Sequence, residues 1–235
     1  MAKIWSGDIR FYGLGYDLGT ATTSVGWTLQ VAPLDVTTIG QLAERQLAGI
    51  RQDSMEWGGI FDDSQSMDAA GSAMLGSGTN NVLQIHVGTS TGKIGYGSTA
   101  RMLHSKAAAS KSELVMAEAE FKIDGKWNRG LVHLSKQTFT GSEFSGTVDG
   151  TAATTGTAGM YLQIFSYSGG GSGTIVLQSA ATATGAYTAF ATVTGITTAR
   201  SYLATGTGTL DRFTRIAKNT SGTMDLAVLV VRNVG

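Results

Sequence analysis

The sequence predicts an all-β protein with one helix, built as a β-sandwich domain followed by a second, smaller β-sandwich. Three observations carry that expectation. Glycine supplies 33 of 235 residues and proline one, and from about residue 140 onward Gly, Thr, Ser and Ala dominate, a composition of short strands and tight turns. Val115, Ala117, Ala119, Phe121 and Ile123 alternate with Glu118, Glu120 and Lys122, which is the period of a half-buried strand. After residue 160, six β-favouring segments recur at short intervals with glycine-rich turns between them, as in jelly-roll or immunoglobulin-like sandwiches.

The elements follow in order along the chain. Residues 23–37 form a long β-favouring stretch with Val25, Trp27, Leu29 and Val31 at alternate positions, and Pro33 marks an edge strand or a bulge. Residues 41–50 mix helix formers with Gly49 and read as a long loop that re-enters a strand over residues 50–60. Met67, Ala70, Met74 and Leu75 fall at helical spacing, with Asp63, Ser64 or Ser66 as N-cap and Gly76 as C-cap, which predicts a helix near residues 64–75. Residues 81–87 alternate and predict a half-buried strand. Asp124-Gly125 supplies a type I′ turn pair, so the sequence predicts a hairpin whose second strand runs over residues 126–134. Residues 139–159 lose all periodicity and are expected as a linker between a domain at 1–138 and a domain at 160–235. The second domain is expected to hold strands at 160–167, 174–178, 187–193, 201–204, 211–217 and 224–232.

Charge and composition exclude several functions. Seventeen basic and seventeen acidic side chains give zero net charge at a charged fraction of 14%, so no cationic surplus exists to displace phosphate counterions from a duplex. A weakly charged surface of this kind suits one that meets copies of itself. The absence of cysteine removes disulfides, thiolate metal sites and cysteine nucleophiles. No apolar run reaches the ~18 residues of a membrane span, and the first residues lack a signal-peptide pattern, so a soluble cytoplasmic protein with no membrane partner is the expectation.

Residues that could carry chemistry are few. His86, His104 and His133 are widely spaced and read as polar-face or satisfied core residues. Asp62, Asp63 and Asp68 lack the ligand ladder of a calcium loop and suit a helix N-terminus. Gly169 to Gly173 precedes Thr174 where a P-loop needs Lys, and Gly13-Leu14-Gly15 falls short of a dinucleotide fingerprint. Trp5, Trp27, Trp57 and Trp127 read as core anchors. Arg212, Arg215 and Lys218, with Tyr202 and Phe213, could form a small basic-aromatic surface for a nucleic acid or a sugar. No nucleophile–base or metal constellation is legible, so no catalytic, cofactor-binding or metal residue is expected, and no enzyme.

Leu34-Asp35-Val36-Thr37-Thr38-Ile39-Gly40, the loop with Glu44-Arg45, and then Met55 through Trp57-Gly58-Gly59-Ile60-Phe61-Asp62-Asp63 ahead of the expected helix resemble, in that order, the tail tube proteins of siphoviruses. The resemblance spans most of residues 1–138. It implies a β-sandwich whose sheet joins those of neighbouring copies into an inner β-barrel, hexameric rings, and stacking of rings into a tube that delivers the genome. The implied partners are identical copies, other tail proteins such as tape measure and terminator, and genomic DNA passing without tight binding. The implied location is the virion tail after assembly in the host cytoplasm. The last third resembles the sandwich modules appended outside some such tubes. A head decoration or baseplate protein is the nearest alternative. A carbohydrate-binding module using Tyr161, Tyr167, Tyr187 or Tyr202 is the alternative from another class.

Overall fold

The computed structural model describes residues 9–20, 22–35, 46–60, 75, 81–108 and 115–234. Its strands are β1 (Ile9–Gly13), β2 (Tyr16–Asp17), β3 (Thr22–Thr28), β4 (Val31–Asp35), β5 (Gln46–Arg51), β6 (Ser54–Ile60), β7 (Asn81–Val87), β8 (Ile94–Ala108) and β9 (Met116–Thr140). There follow β10 (Glu143–Phe144), β11 (Val148–Asp149), β12 (Thr154–Ser168), β13 (Gly173–Ala180), β14 (Thr188–Ile196), β15 (Arg200–Leu210), β16 (Phe213–Lys218) and β17 (Thr223–Val231). The protein is all-β as expected. Of the expected helix, Leu75 is helical and the remainder of residues 64–75 lies outside the described residues.

One ten-stranded sheet runs β15-β12-β17-β9-β8-β7-β1-β2, with β6 also on β9 and β3 on β6. A five-stranded sheet of β10, β11, β16, β13 and β14 covers one end of it, and β4 and β5 form a separate ribbon. Pro33 lies in β4 beside a register shift, the edge-and-bulge position its missing N–H requires. All six strands expected after residue 160 form. They divide between the two sheets, and the inward residues Met160, Leu162, Ile164, Ile175, Leu177, Leu226 and Val228 make the core of a sandwich.

The expected hairpin at Asp124-Gly125 does not form. β9 continues through those residues as one 25-residue strand, antiparallel to β8 on both sides of them. Between the pairs Gly97↔Asn128 and Thr99↔Asp124 the register shifts, and Gly125 has φ +86°. Asp-Gly therefore makes a bulge that bends the strand, because the same left-handed glycine serves a bulge as well as a turn. Asp53, fully buried, fills the gap. Its carboxylate accepts from the Trp127 N–H at 3.3 Å, the Gln30 N–H at 3.2 Å and Arg51 Nε at 2.7 Å, and its carbonyl accepts from the Ile123 N–H at 3.1 Å.

Residues 139–159, expected as a linker, hold the end of β9, both β10 and β11, and the start of β12. Sheet pairing also crosses that stretch, since β17 pairs with β9 from Leu131 to Thr140. The hydrophobic packing nevertheless falls into two main cores. One, around Phe11, Met55, Trp57, Phe121 and Trp127, belongs to the N-terminal part, and the other is the C-terminal sandwich. A third cluster of Val82, Val132, Tyr161, Leu229 and Val231 joins them.

That joint explains why β7 is buried on both faces and not half-buried as its alternation predicts. Leu83 and Ile85 enter the N-terminal core, while the ten-stranded sheet curls so that β12 and β15 cover Val82, Gln84 and His86. Gln163 closes the contact. Its Oε1 accepts from the Gly15 N–H at 2.8 Å and its Nε2 donates to the Val82 carbonyl at 2.7 Å, with the side chain fully buried. Gly15 must be glycine there, since φ is +80° and an added Cβ would lie 2.4 Å from the Ile164 carbonyl oxygen. Asn128 Nδ2 donates to the Tyr161 hydroxyl at 2.9 Å, and Lys136 reaches Asp17 at 2.9 Å from a second bulge, where its own φ is +50°.

Gln163→Leu keeps the volume and strips Gly15 N–H and Val82 C=O of their partners, at about 1–3 kcal/mol for each buried group. All four tryptophans lie at or before residue 127. Urea unfolding followed by tryptophan fluorescence and by far-UV circular dichroism is expected to coincide in the parent protein. In the variant both midpoints fall and the two curves separate.

Candidate functional site

An exposed four-stranded section runs in the order β3, β6, β9 and residues 101–108 of β8. β6 pairs with β3 on one side and β9 on the other, and β9 pairs with β8. β7 pairs with β8 only as far as Ala100, so beyond it the outer edge of β8 carries no strand among the described residues. Among the described residues the outer edge of β3 is likewise without a partner strand. Two unpaired ladders on opposite sides of one sheet section are the geometry that accepts further strands.

The two faces of this section differ as their alternation dictates. Met55, Trp57, Ala117, Ala119, Phe121 and Ile123 point into the core, and Glu56, Glu118, Glu120 and Lys122 are exposed opposite. Register sets Glu56 directly across from Glu120, His104 across from Glu120, Lys106 across from Glu118 and Arg101 across from Lys122. Like charges facing one another across strands destabilise a sheet, so the Glu56/Glu120 pair does not help this section to fold. A shallow groove of ≈ 550 Å³ crosses this face, lined by Ser24, Glu56, Gly58, His104, Glu118 and Glu120.

Exposed apolar residues sit at the rims of the same section. Leu103 is the extra residue of a bulge in β8, falling between the pairs Met102↔Phe121 and His104↔Glu120, and is 56% exposed. Met116 begins β9, and Leu29 and Val31 follow β3, all three exposed. The Val25, Trp27, Leu29, Val31 stripe is thus only half spent on the core, with Val25 and Trp27 packed against it.

The structure places the other sequence-flagged residues apart. His86 and His133 are fully buried. His86 Nε2 pairs with Gln84 Oε1 at 2.9 Å and stacks edge-on against Tyr12, and His133 Nε2 pairs with Thr214 Oγ1 at 3.1 Å. Trp57 and Trp127 are core residues, Trp27 is partly buried, and Trp5, Asp62, Asp63 and Asp68 lie outside the described residues. Gly169 to Gly173 is the passage between the two sheets, where the Tyr167 hydroxyl donates to the Gly171 carbonyl. Gly13-Leu14-Gly15 is a two-residue turn with both Leu14 and Gly15 at positive φ, docked on Gln163. Arg212 is bound to both oxygens of Asp149, Lys218 is buried against three carbonyls, and Arg215 lies between Phe144 and Tyr187. Tyr161, at 1% exposure, presents no stacking face. Among the described residues no group of three or more His, Asp or Glu is placed to hold a metal ion.

Sequence reasoning missed Asp53 and Gln163. Gln163 left a signal, as the lone polar residue in the apolar run from Met160 to Phe165; Asp53, in Arg51-Gln52-Asp53, reads like an ordinary turn.

No protein-family model and no curated protein matches the chain. Solved structures to which it is similar include the tail of an empty gene transfer agent particle, at 16% identity and TM-score 0.44, covering 54% of this chain and 97% of that one. The SPP1 tail tube is similar at 12% identity and TM-score 0.46, covering 54% and 78%. The SPP1 Dit protein is similar at 11% identity and TM-score 0.39 over 94% of this chain and 98% of that one.

Burial depresses both His86 and His133 to a pKa of about 3, with the Arg232 charge adding to the effect at His133. The unfolded chain takes up protons below about pH 6.5 that the folded chain refuses, so stability falls with acidification from there toward pH 3. Two such sites lower stability by about 4 kcal/mol between pH 7 and pH 5. Urea midpoints measured at both pH values give the slope, and His133→Gln is expected to remove about half of it.

Proposed function

We propose that this chain is the repeating subunit of a virion tail tube of the siphovirus type, a structural protein without catalytic activity. The observation that carries the reading is the pair of edges, on β3 and on residues 102–108 of β8, that carry no partner strand among the described residues, at opposite sides of one four-stranded section. An edge of one copy meets the other edge of the next, a heterologous contact that closes into a ring when the rotation permits. Such pairing satisfies backbone donors and acceptors that are otherwise an aggregation liability. The Leu34–Gly40 and Met55–Asp63 motifs of the sequence point the same way, and six copies per ring is the number their family implies.

In a closed ring the face with Glu56, Glu118, Glu120 and Lys122 lines the bore, since the opposite face is core. Glu56, Glu118 and Glu120 there balance Arg101, Lys106 and Lys122, so the face has no cationic surplus to hold phosphates, which lets a nucleic acid pass without tight binding. Stacked rings then form the conduit, capped and measured by other tail proteins, and the C-terminal sandwich stands on the outside.

Negative-stain electron microscopy and solution mass measurement of the concentrated protein test this. Rings or hollow tubes are the expected outcome. Leu103→Glu, which places a charge on the β8 edge bulge without touching the core, is expected to abolish them while the monomer's thermal midpoint holds. A parent protein that stays monomeric or trimeric at every concentration overturns the reading in favour of a head decoration or baseplate protein.

A further inference from the structure

The outer face of the five-stranded sheet carries a second feature, remote in sequence from the free edges. Arg215 of β16 lies between two rings, with its Cζ 4.1 Å from the centroid of Phe144 and 4.1 Å from that of Tyr187. Each part of this stack is held in place. Arg215 Nε donates to Gln178 Oε1 at 2.8 Å across the β13–β16 pair. The Tyr187 hydroxyl donates to the Ala183 carbonyl at 3.1 Å and lies 3.0 Å from Thr147 Oγ1. Phe144 is fixed through the pairing of β10 with Ala217.

The charge at the centre of this frame is not neutralised. Arg212, on the same strand's approach, binds both oxygens of Asp149, and Arg232 gives its Nη groups to the carbonyls of Ala152, Leu210, Asp211 and Arg212. Arg215 makes no ion pair among the described residues. Its two Nη groups and the amide NH₂ of Gln178 donate to no described residue. A planar guanidinium held rigid with its fork uncommitted matches a carboxylate or phosphate in two-point geometry, and its ordering cost has already been met by the fold. Beside it Phe144 is 57% exposed, an apolar ring surface of the kind that packs against the C–H face of a sugar.

We propose that Phe144, Gln178, Tyr187 and Arg215 form a binding site for an acidic saccharide, with the saccharide's carboxylate or phosphate on the Arg215 fork and its ring against Phe144. This assignment does not rest on the tube reading and survives its failure. It differs from the basic-aromatic surface expected from the sequence, because Arg212, Lys218 and Tyr202 are engaged elsewhere and Arg215 alone of that set is available.

Isothermal titration of the full chain tests it with four probes at matched ionic strength: an oligogalacturonate, glucose 6-phosphate, neutral cellobiose and inorganic phosphate. One or both acidic saccharides are expected to bind at least about tenfold more tightly than cellobiose and than inorganic phosphate, and which of them binds identifies the oxyanion. Arg215→Lys, which keeps the charge and loses the fork, and Phe144→Ala are each expected to weaken that binding about tenfold or more at an unchanged thermal midpoint. Because the parent-protein comparison needs no variant, misfolding of either one leaves the test intact. Equal binding of inorganic phosphate and glucose 6-phosphate with no response to oligogalacturonate, binding indifferent to Arg215→Lys, or no binding by either acidic saccharide overturns the proposal.

Discussion

The constraint on which the rest of the molecule depends is that β9 belongs to both halves of the protein. Over residues 116–131 it pairs with β8, over residues 116–122 it pairs with β6, and from Leu131 it pairs with β17. A strand shared in this way must bend to enter two cores, and antiparallel ladders bend at bulges. The first bulge frees a backbone N–H at Trp127, which the buried Asp53 carboxylate takes up. The second turns Lys136 toward Asp17 on the opposite end of the curled sheet, its ammonium also 5.5 Å from the Phe165 ring. Both bulges are therefore tied off by an acid from elsewhere in the chain, Asp53 between β5 and β6 and Asp17 in β2.

Continuity of the sheet gives the C-terminal sandwich a fixed attachment. β12 and β17 each bury one row of side chains in the sandwich core and the other in the joint, which is why Leu226 through Val231 is an unbroken apolar run. Glycines in β8 permit the close packing. An added Cβ at Gly95 would lie 2.6 Å from Leu229, and one at Gly97 would lie 2.9 Å from the Tyr161 ring. Buried polar groups then set the register of the joint, since Gln163 and Asn128 must each meet a particular partner while apolar neighbours could slide.

The surface divides its work accordingly. Charges interleave on the exposed face of the four-stranded section, exposed apolar residues gather at its rims, and its two outer ladders carry no partner strand among the described residues. The sandwich keeps Asp149, Arg212, Lys218 and Arg232 locally paired or hydrogen-bonded, while Arg215, framed by aromatic rings, makes no ion pair among the described residues. The proposed assembly edges and the proposed binding site thus lie on different parts of the chain, which β9 and the joint around Gln163 hold together.

Composition and periodicity by themselves determined the all-β class, the face of β9 that enters the core, the six C-terminal strands and the edge position of Pro33. Each of these follows from local preference: glycine and threonine content, side chains alternating across a strand, and the missing N–H of proline. Tertiary structure decided the rest. Asp124-Gly125 suits a turn or a bulge equally, and β8 running past it on the far side selected the bulge. The alternation in β7 fits a strand with one wet face, and coverage by β12 dried the other. The irregular stretch of residues 139–159 has no period because its strands are two residues long or lie at strand ends, so only pairing with β16, β17 and β15 gives it structure. Arg215 could not be told from Arg212 in the sequence, since an arginine's state depends on whether an Asp or a pair of rings stands beside it in space.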